Sequence, residues 1–254
     1  MYQGKIKLLI LIILAIISAI IALTFIKLHY QTTIVDIPMF NHNHLLTNST
    51  NPDNLNSDLS IFNFKSLNLP VPFTPQAPTA NWDRLHDEAC EEATALMANA
   101  YFTGIKDTNL DANYVENQID KLTSWQQDHF GYYLDTTSAE TAQMMENVYG
   151  LKTRLINNFT ENDIKKELSQ NHLVIISEYG RGLGNPYYKQ PGPIHHMLLI
   201  RGYDGDNFIT NDPGTKRGLE YIYDFKTIYD AAGDWNHADS NVDQTKKIAM
   251  VVWK

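Results

Sequence analysis

The stretch HHMLLIRGYDGDNFITNDPG, residues 195–214, predicts two apolar strands joined by a tight turn. The Asp-Gly pair at its centre is typical of hairpin turns, with Gly205 in the left-handed conformation. If the loop is 203–205, His196 and Asp212 are cross-strand partners on one face of the sheet. A two-residue Asp-Gly loop would pair them one position off and on opposite faces. In both cases they lie at the open end of the hairpin, where an imidazole and a carboxylate form a base and its orienting partner.

The segments around this hairpin predict helices first and strands afterwards. Apolar residues recur at helical spacing over about 90–103, over much of 112–128 and over about 138–148. Most of the remaining chain predicts short strands, apart from helices at about 160–170 and 224–232. Helices followed by an antiparallel sheet indicate the α+β class.

The stretch HDEACEEATALM, residues 86–97, places Cys90 at the start of the first of these helices. Cys90 is the only cysteine, so it can form no internal disulfide and no cysteine metal site. Free N–H groups and the dipole at a helix start favour a thiolate. A thiolate, the His196 imidazole and the Asp212 carboxylate are the components of a cysteine nucleophile system. The alternative is that Cys90 is a small buried apolar residue.

The stretch VPFTPQAPTANWDRLHDEACEEATALMANAY, residues 71–101, together with the hairpin, resembles a bacterial peptidase family. These are the C39-like cysteine peptidases, related to bacteriocin-processing peptidases that act on double-glycine leaders, within the papain-like superfamily. The resemblance covers about residues 68–254 and implies a papain-like α+β fold, with N-terminal helices packed on an antiparallel sheet. It implies a peptide or protein substrate and no metal or organic cofactor. The implied site residues are the nucleophile Cys90, the base His196 that activates the cysteine, the orienting acid Asp212 and the oxyanion-hole residue Gln76.

Two features differ from the family pattern. The family nucleophile is commonly followed by glycine, whereas here Glu91 and Glu92 follow Cys90. Two carboxylates near a thiolate should raise the pKa of the thiol. If both point into water, solvent screens them and an imidazolium from His196 outweighs them. The second feature is the gap of 14 residues between Gln76 and Cys90, which must form a loop that returns the glutamine to the site.

Several assignments keep an alternative. His196 lies six residues before Gly202, as the family spacing requires, whereas His195 points to the other face and either lines the cleft or caps a strand. Asn211 could replace Asp212 as the group that orients the imidazole. The expected function is hydrolysis of peptide bonds. Alternatives on the same fold are a cell-wall peptide amidase, an acyltransferase and a non-catalytic peptide-binding module, the last favoured by the acidic pair after the cysteine.

Residues 1–30 predict a membrane anchor. From Leu8 to Ile26 the chain has 19 uncharged and mostly apolar residues, enough for a helix to cross the roughly 30 Å core of a bilayer. The length of this run favours a retained anchor over a cleaved signal peptide. Residues 31–66 are rich in Asn, Ser and Thr and predict a flexible stalk, and residues 67–254 predict the peptidase domain.

The charge distribution separates the anchor from the rest of the chain. Residues 1–30 contain three of the twenty Lys and Arg and none of the 29 Asp and Glu, so the remainder carries a net charge of −12. So acidic a surface argues against nucleic acid or anionic lipid as a partner. The lysines before the span slightly favour a cytoplasmic N-terminus. We therefore expect a monomeric, single-pass protein of the cell membrane, held through its N-terminal helix, with an extracytoplasmic catalytic domain.

Overall fold

The computed structural model of the protein describes residues 65–254. The predicted anchor at 1–30 lies outside the described residues, as does the predicted stalk up to residue 64. Within 65–254, no helix combines the length and the apolar character that crossing a membrane requires. The described part comprises the predicted peptidase domain and the last two residues of the predicted stalk.

Helices precede most of the sheet in residues 65–254, which confirms the α+β prediction. The helices are α1 (Arg84–Asp87), α2 (Cys90–Phe102), α3 (Ala112–Phe130), α4 (Ser138–Tyr149), α5 (Glu161–Ser169) and α6 (Phe225–Ala231). The strands are β1 (Ser66–Asn68), β2 (Lys152–Asn157), β3 (Leu173–Tyr179), β4 (His195–Asp204), β5 (Asn207–Asn211), β6 (Tyr221–Asp224), β7 (Asp234–Asn236), β8 (Asn241–Asp243) and β9 (Ile248–Trp253). A 3₁₀ turn, Gly180–Leu183, follows β3.

The longer helices begin and end where the sequence supplies caps. Thr137 and Thr160 each form a capping box with the acidic residue three positions later, at the starts of α4 and α5. Gly131 and Gly150 end α3 and α4 in the left-handed conformation, with φ of 84° and 65°. The predicted helices therefore agree closely in position with the observed ones.

The large sheet is antiparallel and has the strand order β2-β9-β3-β4-β5-β6, with β1 pairing to the end of β4. The strand that begins with His195 is therefore central in the sheet. β1 begins at Ser66, and the Lys65 carbonyl accepts a hydrogen bond from the N–H of Gly205. The described strand β1 thus lies across the predicted boundary at residue 67.

The hairpin of β4 and β5 differs in register from the prediction. Its loop is Gly205-Asp206, with Gly205 at a φ of 58° as expected. A bulge between Ile200 and Gly202 then shifts the pairing, because it adds an unpaired residue to β4. β5 ends one residue before Asp212. The predicted cross-strand pairing is therefore wrong, and Asp212 reaches β4 from the loop that follows β5.

Helix α2 is enclosed on nearly all sides, since ten of its 13 residues are buried. It packs against β4, α3 and α4. Alanines at 93, 95, 98 and 100 have no exposed surface, and their small side chains let neighbouring elements approach closely. This packing places the first residue of α2, Cys90, at the level where β4 begins.

Candidate active site

His196 and Asp212 form a buried hydrogen-bonded pair at the start of β4. Nε2 of His196 lies 2.9 Å from Oδ1 of Asp212, and the two residues are 1% and 0% exposed. The His196 ring forms no other hydrogen bond with the described residues, so Nδ1 is the nitrogen left free for another partner. The arrangement matches that of an imidazole whose tautomer is fixed by a carboxylate.

The second oxygen of Asp212 is held by three further side chains. The hydroxyls of Tyr188 and Tyr223 each donate to Oδ2 at 2.7 Å, and the Asn185 amide donates at 3.0 Å. Burial acts to raise the pKa of Asp212, but the His196 charge and the hydrogen bonds from His196, Tyr188 and Tyr223 together hold it below its ordinary value. Asp212 is therefore a buried carboxylate, which suits it to orient an imidazole.

These three donors were not anticipated from the sequence. Tyr221 and Tyr223 alternate along β6, and this period of two indicates that they share a face, but it does not identify Asp212 as a partner. Asn185 and Tyr188 lie in a loop 24 or more residues before Asp212. Tyr188 is 6% exposed, and its hydroxyl is engaged with Asp212.

The Cys90 thiol is at the first position of α2 and is 3% exposed. Sγ donates a hydrogen bond to Oε2 of Glu91 at 3.0 Å, and the backbone N–H of Met197 is directed at the sulfur. Met197 follows His196, so the thiol lies against the β4 backbone one residue along the strand from His196. No hydrogen bond joins the thiol to either histidine ring among the described residues.

The two acidic residues after Cys90 are buried rather than exposed to water. Glu91 is 1% and Glu92 0% exposed, so solvent does not screen them. Burial raises the pKa of the Cys90 thiol well above its ordinary value, and Glu91 and then Glu92 raise it further. The condition under which His196 was expected to outweigh them therefore does not hold, and the thiol is neutral in this conformation.

His195 belongs to a separate buried network on the opposite face of β4. Its Nε2 lies 3.0 Å from the Ser177 hydroxyl, and its Nδ1 lies 3.1 Å from Oδ1 of Asp135 and 3.4 Å from Oε1 of Glu91. Burial acts to lower the pKa of His195, but Asp135 and Glu91 raise it above its ordinary value. The two consecutive histidines thus have different carboxylate partners.

Gln76 lies between the segment before Cys90 and the loop after Asp212. Its Nε2 donates to the carbonyls of His86 at 2.8 Å and Asp87 at 3.0 Å, and its backbone N–H donates to the Pro213 carbonyl at 2.9 Å. The segment before Cys90 therefore folds back against Gln76. Both amide hydrogens of Gln76 are engaged, and its buried Oε1 has no partner among the described residues.

Asn211 serves a different purpose from the orienting role considered above. Its amide donates to the carbonyls of Val71 and Pro72, and its oxygen accepts from the Arg201 guanidinium at 3.1 Å. Arg201 also donates to the Leu69 carbonyl at 3.0 Å. Asn211 therefore fixes the extended segment that leads to Gln76, and Asp212 is the partner of His196.

Comparisons with known proteins place this site in a family. The sequence model of the Peptidase C39 like family matches residues 68–241, which include all four predicted site residues. A search of curated proteins finds no match. Among solved structures, a C39-like peptidase from Bacillus anthracis is 15% identical, with a TM-score of 0.46 and coverage of 74% of this chain and 98% of that chain. UfSP from C. elegans is 14% identical, with a TM-score of 0.37 and coverage of 77% and 36%.

The family match spans more than half of the chain and agrees with the resemblance recognised in its motifs, which is thereby confirmed. The chain belongs to the Peptidase C39 like family.

Proposed function

We propose that the protein is a cysteine peptidase in which Cys90 attacks a peptide carbonyl and His196 transfers the proton. The observation that carries this proposal is the 2.9 Å hydrogen bond between His196 and Asp212, next to the β4 backbone that contacts the thiol. Family membership supports the proposal, since the matched region, residues 68–241, includes Cys90, His196 and Asp212.

The acid–base roles follow from the tautomer that Asp212 selects. A carboxylate oxygen 2.9 Å from Nε2 accepts the Nε2–H hydrogen bond, which leaves Nδ1 unprotonated and able to accept the thiol proton. When Nδ1 takes that proton, the buried Asp212 carboxylate stabilises the resulting imidazolium. Tyr188, Tyr223 and Asn185 keep Asp212 in place and ionised during this transfer.

Catalysis then has two stages. The Cys90 thiolate attacks the carbonyl carbon, the C–N bond breaks, and the imidazolium of His196 protonates the departing amine. The product of this stage is a thioester on Cys90. A water molecule then attacks the thioester carbon, His196 accepts its proton, and the proton returns to the sulfur as the carboxylic acid leaves. No redox partner is required, because hydrolysis of a peptide bond through a thioester changes no oxidation state.

The Cys90 backbone N–H and the Gln76 amide are the proposed donors to the oxyanion. The N–H groups at the start of α2 are not consumed within the helix, so one can face a developing negative charge. The Gln76 amide donates to the carbonyls of 86 and 87 in the resting conformation. Its oxyanion role therefore requires one of these hydrogen bonds to be exchanged for the substrate oxygen.

A non-catalytic peptide-binding module is the second candidate, and the burial of the Cys90 thiol favours it. Cys90 is 3% exposed and neutral, and its hydrogen bond goes to Glu91 rather than to an imidazole. A surface groove of about 410 Å³ does open beside the start of β4, where Ile194 and Tyr179 line it. A peptide seated in this groove would lie beside Ile194, next to the start of the strand that carries His196, whether or not it is cleaved.

Digestion of a mixed peptide library by the full chain, analysed by mass spectrometry, separates these functions. The peptidase proposal predicts cleavage by the wild-type chain and none by Cys90→Ala. Binding without cleavage would favour the non-catalytic module. Parallel incubation with peptidoglycan fragments tests amidase activity, and incubation with an added amine acceptor tests acyltransferase activity. If either product forms and no peptide is cleaved, that activity replaces the peptidase assignment.

We also propose that the chain is anchored in the cell membrane through residues 8–26, with the catalytic domain outside the cytoplasm. This proposal rests on the sequence of the first 30 residues alone. Alkaline carbonate extraction of membranes containing the full chain tests it. An integral anchor predicts retention in the membrane pellet and digestion of the domain by protease added outside the cell, whereas release into the supernatant would contradict it.

A further inference from the structure

Glu91 is placed to act on the thiol and has no part in the mechanism described above. Its Oε2 accepts the hydrogen bond of the Cys90 thiol at 3.0 Å. Its Oε1 accepts from the backbone N–H of Thr136 at 2.9 Å and lies 3.4 Å from Nδ1 of His195. Cys90, Glu91, Thr136 and His195 are all at most 5% exposed. The carboxylate thus connects the nucleophile to the segment before α4 and to the second histidine.

This contact holds the thiol in a direction that is unproductive for attack. A thiol that donates to a carboxylate keeps its proton, because ionisation would place two negative charges about 3 Å apart in a site without solvent screening. The same hydrogen bond occupies the S–H group that must be directed at Nδ1 of His196. Both effects oppose formation of the thiolate in the resting protein.

We propose that Glu91 is a positioning residue that keeps the Cys90 thiol neutral and turned away from His196 until a substrate is bound. This inference rests on the proposed function, because it concerns regulation of the same nucleophile. The carboxylate is itself held by Thr136 and His195, so it stays in place when the cysteine side chain rotates. Rotation breaks the S–H···Oε2 hydrogen bond, and the proton then passes from sulfur to Nδ1 of His196, giving a thiolate and an imidazolium.

Several titratable groups surround the thiol, so the role of Glu91 has to be separated from theirs. Glu91 and Glu92 act on the thiol directly, and Glu88, Asp135 and Asp234 surround Glu91 and its partner His195. His196 lies one residue before Met197, whose backbone N–H is directed at the sulfur. Glu91 is the one whose side chain bonds directly to the sulfur. Glu92 is as deeply buried, but its carboxylate accepts from the Gln126 amide instead. Glu92 is therefore the matched control.

The test is the pH profile of Cys90 alkylation by iodoacetamide in the full chain, followed by mass spectrometry. In Glu91→Gln, the amide oxygen can keep the Thr136 hydrogen bond while the NH₂ group faces the sulfur. The negative charge beside the sulfur is then removed. The carboxylate oxygen that accepts the thiol hydrogen bond is replaced by an NH₂ group that can donate to the thiolate. We expect the midpoint of the profile to move at least one pH unit lower, with a roughly tenfold or greater increase in rate at pH 7. We expect Glu92→Gln to move the midpoint by much less.

Glu91→Asp provides a second variant with the negative charge retained. The shorter side chain withdraws the carboxylate from the sulfur, so the expected shift has the same direction and a smaller size. Unfolding in urea identifies a variant that has lost its structure. A folded Glu91→Gln or Glu91→Asp whose profile is unchanged or moved to higher pH would overturn the inference. Alkylation requires no peptide cleavage, so the proposed peptidase function can fail in the library digestion while this inference still holds.

Discussion

Consecutive residues of one strand carry two imidazoles to opposite faces of the sheet. His196 meets Asp212 on one face, and His195 meets Asp135 and Glu91 on the other. Strand alternation requires this separation, because neighbouring side chains point in opposite directions. The backbone N–H of Met197, the residue after His196, is directed at the Cys90 sulfur, whose own hydrogen bond goes to Glu91. The reactivity of the thiol therefore depends on which of the two networks it bonds to.

The hydroxyls of Tyr188 and Tyr223 that donate to Asp212 should stabilise the fold. Tyr188→Phe deletes a 2.7 Å hydrogen bond to a buried carboxylate, and Tyr223→Phe deletes another of equal length. Because hydrogen bonds to charged groups contribute about 1.5–3 kcal/mol, each change should lower the free energy of unfolding by about that amount. Urea unfolding at pH 7 measures the effect.

Tyr221→Phe is the control for these changes. Its ring lies 4.7 Å from that of Tyr223, but its hydroxyl does not bond to Asp212. We expect it to change the free energy of unfolding by less than about 0.5 kcal/mol. Equal effects of Tyr221→Phe and Tyr223→Phe would show that the hydroxyl contacts with Asp212 do not stabilise the fold.

The sequence identified which titratable residues belong to the site, but it did not identify most of the contacts that these residues make. The histidine–carboxylate pair follows from the motif order, since both residues lie at one end of a hairpin. The burial of Glu91 and Glu92 could not be predicted, because it depends on how α3, α4 and the segment at Thr136 close over the start of α2. Local sequence around the two glutamates is equally compatible with an exposed helix start.

Among the elements, β1 and the hairpin end meet at a backbone contact that only glycine permits. A Cβ atom on Gly202 would lie 2.2 Å from the carbonyl oxygen of Leu67, because β1 pairs directly against β4 at that position. The extended segment after β1 leads to Gln76. The position of Gln76 therefore depends on this close approach of two strands.

Gly202→Ala should separate β1 from β4. The clash is with backbone atoms that cannot rotate away, so we expect a loss of roughly 3 kcal/mol or more in the free energy of unfolding. Gly205→Ala in the same hairpin is the control, because its Cβ meets no atom within 4 Å and only the φ of 58° opposes it. That change should cost about 1 kcal/mol. Similar urea midpoints for the two variants would contradict the proposed contact.

Helix positions were predictable because their ends depend on nearby residues. The Thr137 and Thr160 capping boxes and the terminal glycines are local signals. The register of the hairpin was not predictable, because the bulge next to Gly202 adds a residue that no local pattern reveals. The contact between His196 and Asp212 survived this error, since a loop rather than a strand brings the carboxylate to the histidine.

At the scale of the whole domain, buried acids make stability depend on pH. Glu178 is the cross-strand neighbour of His196, is 0% exposed, and has no hydrogen-bond partner for either oxygen among residues 65–254. Burial raises its pKa well above the ordinary value, and Asp212 adds to this while Lys247 opposes it. Burial likewise raises the pKa of Glu92, and that of Glu88 to about 7.

The sign of the pH dependence follows from these directions. An acid with a raised folded-state pKa contributes stability below its unfolded value near 4.5, and this stability is lost as pH rises through the folded-state pKa. Asp212, whose pKa is lowered, contributes stability above about pH 4 that is lost on further acidification. We therefore expect the urea midpoint to be highest near pH 5 and to fall between pH 6 and 9.

Glu178→Gln should remove part of the alkaline loss. The amide keeps the shape of the side chain but does not ionise, so the variant should match the wild type near pH 5 and exceed it at pH 8.5. The gain is about 1.4 kcal/mol for each unit by which folding raises the pKa of Glu178. Glu146→Gln, at an exposed position of α4, should leave the profile unchanged. A Glu178→Gln profile that parallels the wild type at every pH would contradict this assignment.

The most direct measurement of the central claim is the rate at which E-64 forms a covalent bond with Cys90, followed by mass spectrometry of the full chain at pH 7. The account predicts that His196→Ala slows this labelling by roughly 100-fold or more, because the thiol loses the base that accepts its proton. His195→Ala should retain a rate within several-fold of the wild type. Labelling that is absent in the wild type, or that proceeds equally in His196→Ala, would contradict the assignment of Cys90 and His196 as nucleophile and base.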